Sequence, residues 1–244
     1  MTASPPTDRR TPLTLLTGFL GSGKTTLLAA ALAATKERIA VLVNEVADLP
    51  IDGALLEGYD EDVLTLPGGC VCCTLRGDLY DALARLRAHD PARIVLETTG
   101  LADPAPALGA LAADERLAAS VRLAGVVAVV DCERAERLLD TEPEAARQLE
   151  LADRIALSKA DLAPHRVDAV RERLAHEAPG RDVRVVGPSS VDLAWLFAPP
   201  FAGDTATRWL ASSPRAVAEH GTYTAHGVRH GAPVDVDADR KSVV

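Results

Sequence analysis

Short apolar runs recur along the chain and are separated by longer stretches in which polar and apolar residues mix. Six runs of four to eight residues stand out, at 11–17, 38–44, 93–97, 124–131, 154–158 and 183–186. They are hydrophobic on both faces, which is typical of strands that helices cover on each side. These runs therefore predict the buried strands of a sheet.

The stretches between the runs predict helices. Residues 25–35, rich in Ala and Leu, follow the first run and its glycine-rich loop. Further helical stretches lie at 75–89, 104–119, 143–151 and 164–178. Because strand, helix and strand in succession form a right-handed parallel unit, we expect an α/β fold. Its sheet should be doubly wound and mostly parallel, with helices on both faces.

The alternating pattern covers residues 11–200, which we expect to form one domain. The start of the chain lacks the apolar centre of a signal peptide, so residues 1–10 are expected to be a disordered lead-in. Pro, Gly and Ser become frequent beyond residue 199, and one strand-like stretch follows at 221–236. Residues 201–244 are therefore expected to lie outside this domain, as a linker followed by one strand.

Charge and hydropathy limit the partners. The 244 residues include 26 Lys and Arg against 35 Asp and Glu, a net charge of −9, and they contain no basic run. Such a chain is poorly suited to nucleic-acid backbones, and none of its apolar stretches is long enough to span a bilayer. We expect no nucleic-acid or membrane partner and a cytoplasmic location. An anionic ligand must then be held by a local device.

The loop after the first strand supplies such a device. It reads GFLGSGKT and matches the phosphate-binding pattern G-x-x-x-x-G-K-[ST] at every fixed position, between a strand and a helix. Such a P-loop indicates an NTPase: its amides and the following helix N-terminus face the phosphates. We expect Lys24 to reach the β- and γ-phosphates and Thr25 to hold Mg²⁺; the alternative is a turn that binds nothing. The nucleotide-binding residues expected here are Gly21, Ser22, Gly23, Lys24, Thr25 and Thr26.

The segment SKAD after a later buried strand predicts guanine recognition. Guanine-specific P-loop GTPases carry Asn-Lys-x-Asp at this place, and here Ser158 replaces the Asn. The Asp161 carboxylate should accept the N1–H and the exocyclic amine of guanine, a donor pair that adenine lacks. The stem of Lys159 should pack on the ring. The alternative is an ordinary solvated strand end.

An acidic residue, Glu97, ends the strand at 93–97, at the sheet edge where ligands of open α/β sheets gather. Its carboxylate can hold Mg²⁺ through a water or orient an attacking water. Gly100 can bring its amide close to the γ-phosphate. We expect Lys24 and Glu97 to be the catalytic residues, the alternative for Glu97 being exposure to solvent.

Three of the four cysteines fall in the segment GGCVCC, as Cys70, Cys72 and Cys73. Three thiolates suit Zn²⁺, Co²⁺ or Cu⁺, and three protein ligands leave one position open, as transfer of the metal requires. Glu45 is a candidate fourth ligand. The alternative is that these small side chains only fill a loop. The fourth cysteine, Cys132, follows an apolar strand and is expected in the core.

Five segments taken in chain order, TGFLGSGKTTLL, NEVADLPIDG, GGCVCC, ETTGLADP and LSKADL, resemble CobW-type GTPases. These belong to the metallochaperone GTPases related to the hydrogenase and urease nickel-insertion GTPases. The resemblance covers residues 11–200. It implies hydrolysis of GTP to GDP and phosphate with Mg²⁺, coupled to delivery of zinc or cobalt to a client metalloprotein. The implied metal site matches Cys70, Cys72 and Cys73.

Three departures from the family pattern lead to further expectations. The switch-like segment matches at Asn44, Glu45 and Asp52, but NEVAD replaces Asn-Glu-Phe-Gly-Glu, and Pro50 should stiffen it. Ser158 in place of Asn should weaken guanine binding. The C-terminal domain usual in the family is matched here only by one strand-like stretch, so the resemblance implies that residues 201–244 are a linker and a truncated stub of that domain.

Two other functions remain open at this point, an ATP-dependent small-molecule kinase and a nucleotide-responsive metal-binding module without useful hydrolysis. A kinase would lack the SKAD base reader and would not need three clustered cysteines. A homodimer is a further expectation.

Overall fold

The computed structural model describes residues 8–44, 63–66, 76–187 and 190–199, all within one compact unit, Met1–Ser213. In these ranges seven strands form one sheet in the order β3-β2-β4-β1-β5-β6-β7, and every neighbouring pair is parallel. The strands are β1 (Thr11–Thr17), β2 (Ile39–Asn44), β3 (Val63–Leu66), β4 (Arg93–Glu97), β5 (Val121–Asp131), β6 (Arg154–Ser158) and β7 (Asp182–Val185).

Eight α-helices occur in the described ranges. They are α1 (Lys24–Ala33), α2 (Arg76–Arg87), α3 (Ala105–Ala113), α4 (Glu115–Ser120), α5 (Ala135–Thr141), α6 (Pro143–Leu151), α7 (Val167–Glu177) and α8 (Leu193–Leu196). A 3-10 turn, Pro164–Arg166, precedes α7. None of the helices seen in this part of the chain has the length and hydropathy of a membrane span.

Alternate residues of the strands pack on opposite faces of the sheet, as the pleat requires. In β2, Ala40 and Leu42 belong to a core cluster with α2, α3 and α4, whereas Val41 and Val43 belong to a second cluster with α1 and α8. A third cluster joins β5 and β6 to α5, α6 and α7. Each fully buried Leu or Val contributes about 1.5–3 kcal/mol. The expected α/β fold with helices on both faces is confirmed.

The order of the strands brings several carboxyl ends together. β1 lies between β4 and β5, and its residue Leu16 is level with Glu97 of β4. On the other side Asp131 ends β5 level with Ser158 of β6. The loops that leave these strand ends therefore meet at one edge of the sheet, which is where open parallel sheets bind ligands.

One predicted helix is divided. The stretch at 104–119 forms α3 and α4, because Asp114 between them is extended and its carboxylate accepts hydrogen bonds from the amides of Arg116 and Leu117. Such an Asp starts a new helix by satisfying its first free amides. The sequence patterns also left out β3, α5 and α8, which are all short.

Candidate nucleotide-binding site

The loop between β1 and α1 is a tight turn whose helix starts at the motif lysine. The amide of Ser22 donates to the carbonyl of Phe19 (3.1 Å), and α1 begins at Lys24. Gly21 and Gly23 have positive φ angles of 67° and 94°, a conformation that side chains disfavour. This loop (18–25), called the phosphate loop below, therefore depends on its glycines for its shape.

The structure brings Lys24, Thr25 and Glu97 together at the carboxyl edge of the sheet. The Lys24 Nζ donates to the carbonyls of Gly18 (2.9 Å) and Phe19 (3.3 Å), so its ammonium spans the loop. The Thr25 Oγ1 donates to Glu97 Oε1 at 2.8 Å. All three side chains are buried, so Glu97 is not the exposed strand end that was the alternative.

Gly100 lies directly against the phosphate loop. A Cβ on Gly100 would come within 2.5 Å of the Leu20 nitrogen and 2.6 Å of the Leu20 Cα. The same segment is held from α6, where the buried Gln148 Nε2 donates to the carbonyls of Gly100 and Ala102, both at 3.1 Å. The loop after β4 is thus fixed between the phosphate loop and α6. Gln148 was not predicted from the sequence.

Replacing Gly100 with alanine is expected to raise the dissociation constants for GTP and GDP by about tenfold or more. The new methyl group would overlap Leu20 backbone, and overpacking of this kind costs about 1–3 kcal/mol. The matched control is Gly109→Ala in α3, where a Cβ meets no atom within 4 Å and should be neutral or slightly stabilising. Titration with a fluorescent guanine nucleotide measures both variants. Equal affinities would show that the close approach at Leu20 does not matter.

The SKAD segment contacts the phosphate loop through Ser158. Its Oγ donates to the carbonyl of Ser22 at 2.6 Å and lies 3.1 Å from the carbonyl of Val130. Lys159 has a left-handed φ of 53°, and the turn that follows closes by a bond from the Leu162 amide to the Lys159 carbonyl (3.1 Å). Asp161 is exposed in this turn, and Thr26 is exposed on α1.

Asp131 at the end of β5 connects the predicted elements and was missed. Its Oδ2 accepts from Lys159 Nζ (2.9 Å) and Arg134 Nε (3.0 Å), and its side chain is fully buried. Arg134 Nη2 in turn donates to the carbonyl of Leu20 at 2.7 Å. The signal that could have revealed Asp131 is the one that revealed Glu97, an acidic residue directly after an apolar strand.

The charge state of Asp131 follows from its surroundings. Burial raises the pKa of this carboxyl, but the hydrogen bonds and positive charges of Lys159 and Arg134 outweigh burial and hold the pKa below its usual value. The carboxylate is therefore ionised at neutral pH. The network joining Lys159, Asp131 and Arg134 persists as long as the carboxylate keeps its charge.

The proposed transition-metal ligands Glu45, Cys70, Cys72 and Cys73 lie outside the described residues. Within the described ranges no group of three His, Cys, Asp or Glu side chains could hold a metal ion. Cys132 is in the core, as expected, and burial raises the pKa of its thiol.

The hydroxyl of Thr25 and the carboxylate of Glu97 are hard oxygen donors of the kind that Mg²⁺ prefers. Thr25 ends the phosphate loop and Glu97 contacts it there, where a nucleotide-bound cation would be needed. The residues present therefore fit a nucleotide-associated Mg²⁺ ion.

Comparison with known sequences finds zinc chaperones among the relatives of this chain. The zinc chaperone YjiA of Escherichia coli is 38% identical over 192 residues, which cover 76% of this chain and 60% of that protein. The zinc chaperone CobW of Pseudomonas aeruginosa is 36% identical over 218 residues, covering 75% and 57%. The chain thus spans 60% or less of the length of these relatives.

Solved structures show the same fold. The Zn(II)-bound YjiA GTPase of E. coli has a TM-score of 0.60 and 33% identity, covering 77% of this chain and 61% of that one. HypB of Archaeoglobus fulgidus, a hydrogenase maturation factor, has a TM-score of 0.54 over 72% of this chain and 81% of that one. At 17% identity, HypB supports the fold alone.

A family model also matches most of the chain. The family described as "CobW/HypB/UreG, nucleotide-binding domain" matches residues 12–184, which is more than half of the chain. The matched range runs from β1 into β7 and includes the phosphate loop, Glu97 and the SKAD segment. The chain therefore belongs to the CobW/HypB/UreG nucleotide-binding domain family.

Proposed function

We propose that this protein binds GTP with Mg²⁺, hydrolyses it to GDP and phosphate, and couples the reaction to binding and delivering zinc or cobalt to a client metalloprotein. The observation that carries the nucleotide part is the hydrogen bond of 2.6 Å between Ser158 and the Ser22 carbonyl. It joins a segment with the pattern of a guanine reader directly to a phosphate-binding loop. A nucleotide would span these two elements, its base at one and its phosphates at the other.

Each residue near the phosphates has a task in this proposal. The Lys24 ammonium, which donates hydrogen bonds to the Gly18 and Phe19 carbonyls in this structure, would bind the β- and γ-phosphates. Thr25 and Glu97 would hold Mg²⁺, which neutralises phosphate charge when bound. The carboxylate of Glu97 would also orient the attacking water, and the amide of Gly100 would face the γ-phosphate. The backbone amides and the side-chain hydroxyls of residues 21–26 would donate the remaining hydrogen bonds to the phosphates.

Guanine selectivity is assigned to Asp161 and Lys159. The exposed Asp161 carboxylate is accessible to the N1–H and amine of guanine, and adenine would leave it without donors. Weaker guanine binding, expected because Ser158 replaces Asn, stays a prediction. The Ser158 hydroxyl donates a hydrogen bond to the Ser22 carbonyl, and this contact supports a base-reading segment held against the phosphate loop.

The metal part of the proposal is supported by the relatives. Their names describe zinc chaperones, and in fission yeast a zinc-regulated GTPase metalloprotein activator, 37% identical over 161 residues. We propose Cys70, Cys72 and Cys73 as the zinc or cobalt ligands, with Glu45 as a fourth. The name of the metalloprotein activator supports a metalloprotein client. The homodimer, the cytoplasmic location and the division at residue 200 stay predictions.

A nucleotide and metal titration tests the proposal against its two alternatives. GTP and GDP should bind. The dissociation constant for ATP should be higher by about a hundredfold or more, because adenine gives the Asp161 carboxylate no pair of hydrogen-bond donors. Phosphate should be released from GTP without an acceptor molecule, slowly in the absence of a partner. Tighter binding of ATP than of GTP would favour a kinase. GTP binding without phosphate release, with or without Zn²⁺, would favour the binding module.

A further inference from the structure

Arg134 reaches the phosphate loop from the segment between β5 and α5. Its Nη2 donates to the Leu20 carbonyl at 2.7 Å, while its Nε donates to Asp131 at 3.0 Å. Its guanidinium also occupies the space beside Gly21, where a Cβ would lie 2.9 Å from Nη2. A residue 114 positions away in sequence thus holds the backbone of the phosphate loop.

The hydrogen bond from Arg134 to the Leu20 carbonyl also determines the direction of the Gly21 amide. The described residues contain no cis peptide bond, so the Leu20 carbonyl and the Gly21 N–H point in opposite directions from their shared peptide plane. Holding the carbonyl toward Arg134 therefore turns the Gly21 N–H away from Arg134. Ser158 acts in the same manner on the Ser22 carbonyl and thus on the Gly23 N–H.

Asp131 makes the position of Arg134 definite. The carboxylate is itself fixed, because its Oδ1 accepts from the Glu133 amide at 2.9 Å and its Oδ2 is shared with Lys159. The rigid fork of a guanidinium can bond a carboxylate and a carbonyl at the same time, which the single ammonium of a lysine does less well. The two contacts together leave the Arg134 head group little freedom.

We infer that Arg134 is a positioning residue for phosphate binding. Anchored by Asp131, it sets the Leu20–Gly21 peptide so that the Gly21 amide is oriented for a phosphate oxygen before the nucleotide arrives. Preset donors of this kind improve binding because they need not be ordered when the ligand binds. The inference rests on the proposed nucleotide binding and assigns control of the loop geometry to a residue outside the loop motif.

The test compares Arg134→Ala and Arg134→Lys with Arg173→Ala in the full chain. Arg173 is a matched control because its guanidinium also holds two acceptors, the carboxylates of Asp140 (2.9 Å) and Glu177 (2.8 Å). Dissociation constants for GTP, GDP and guanosine are measured by calorimetry, together with the melting temperature without nucleotide. Guanosine is included because it carries the base and no phosphate.

Arg134→Ala should raise the dissociation constants for GTP and GDP by about tenfold or more, as expected for the loss of a charged hydrogen bond. The constant for guanosine should not change, and Arg134→Lys should lie between the wild type and the alanine variant. Arg173→Ala should bind all three ligands like the wild type. The lysine variant preserves charge and bulk, so it remains informative if the alanine variant does not fold.

Three outcomes would overturn the inference. Unchanged GTP and GDP affinity in both Arg134 variants would show that the loop is set without the guanidinium, and the proposed function would stand. An equal loss for guanosine would show that Arg134 acts on the base through Asp131 and Lys159. A wild-type protein that binds neither GTP nor GDP would overturn the proposed function together with this inference.

Discussion

Replacing Lys24 with alanine is expected to raise the dissociation constants for GTP and GDP by at least about a hundredfold and to abolish GTP hydrolysis. Lys24 is only 8% exposed, and its ammonium already lies across the phosphate loop at the Gly18 carbonyl. Charged hydrogen bonds contribute about 1.5–3 kcal/mol each, and Lys24 would make them to two phosphates. With a net charge of −9, the chain offers no general attraction to replace them.

The control for this experiment is Lys36→Ala, which removes an exposed lysine just beyond α1. This substitution changes the net charge by the same amount as Lys24→Ala. If only the Lys24 variant loses nucleotide affinity, the loss is due to the local contact and not to the change in net charge. Melting temperatures without nucleotide establish that both variants fold. A Lys24 variant that folds and binds GTP like the wild type would contradict the assignment of the phosphate site.

The strands and helices with continuous apolar faces could be predicted closely. The observed bounds equal the predicted ones for three strands, β1, β4 and β6, and for the helix α6. The strands were predictable because both of their faces are buried, which leaves a continuous apolar run in the sequence. β5 begins earlier than predicted, since Arg122 interrupts its apolar pattern while still pairing with Pro12 of β1. Local pattern thus finds central elements and misplaces the ends where polar side chains occur.

In the candidate site, residues that belong to a local sequence motif could likewise be predicted, whereas residues that act through contacts distant in sequence could not. The arrangement of Lys24, Thr25 and Glu97 could be predicted, because a motif and a strand end each carry a local signature. Arg134 and Gln148 could not, since each acts on a carbonyl far away in sequence, 114 and 48 positions distant. Backbone carbonyls have no sequence signature, so contacts to them become visible only when the sheet has brought the loops together.

Replacing Cys72 with alanine is expected to lower the affinity for Zn²⁺ or Co²⁺ by at least about a hundredfold while leaving GTP affinity unchanged. Loss of an outer-shell partner of a metal site costs about 10–100-fold, so loss of a direct thiolate ligand should reach or exceed the upper end. Competition with a chelator of known affinity measures this.

Cys132→Ala is the matched control, because it removes the buried thiol of the core and should lower stability slightly without changing metal affinity. The wild type is then titrated with metal in complex with a GTP analogue and with GDP. A difference between the two affinities is required if the γ-phosphate and the metal act on one segment, since coupling between two ligands is reciprocal. Equal metal affinities in the two complexes would show that the nucleotide site and the metal site are not coupled. A Cys72→Ala variant that keeps full metal affinity would show that Cys72 is not a ligand.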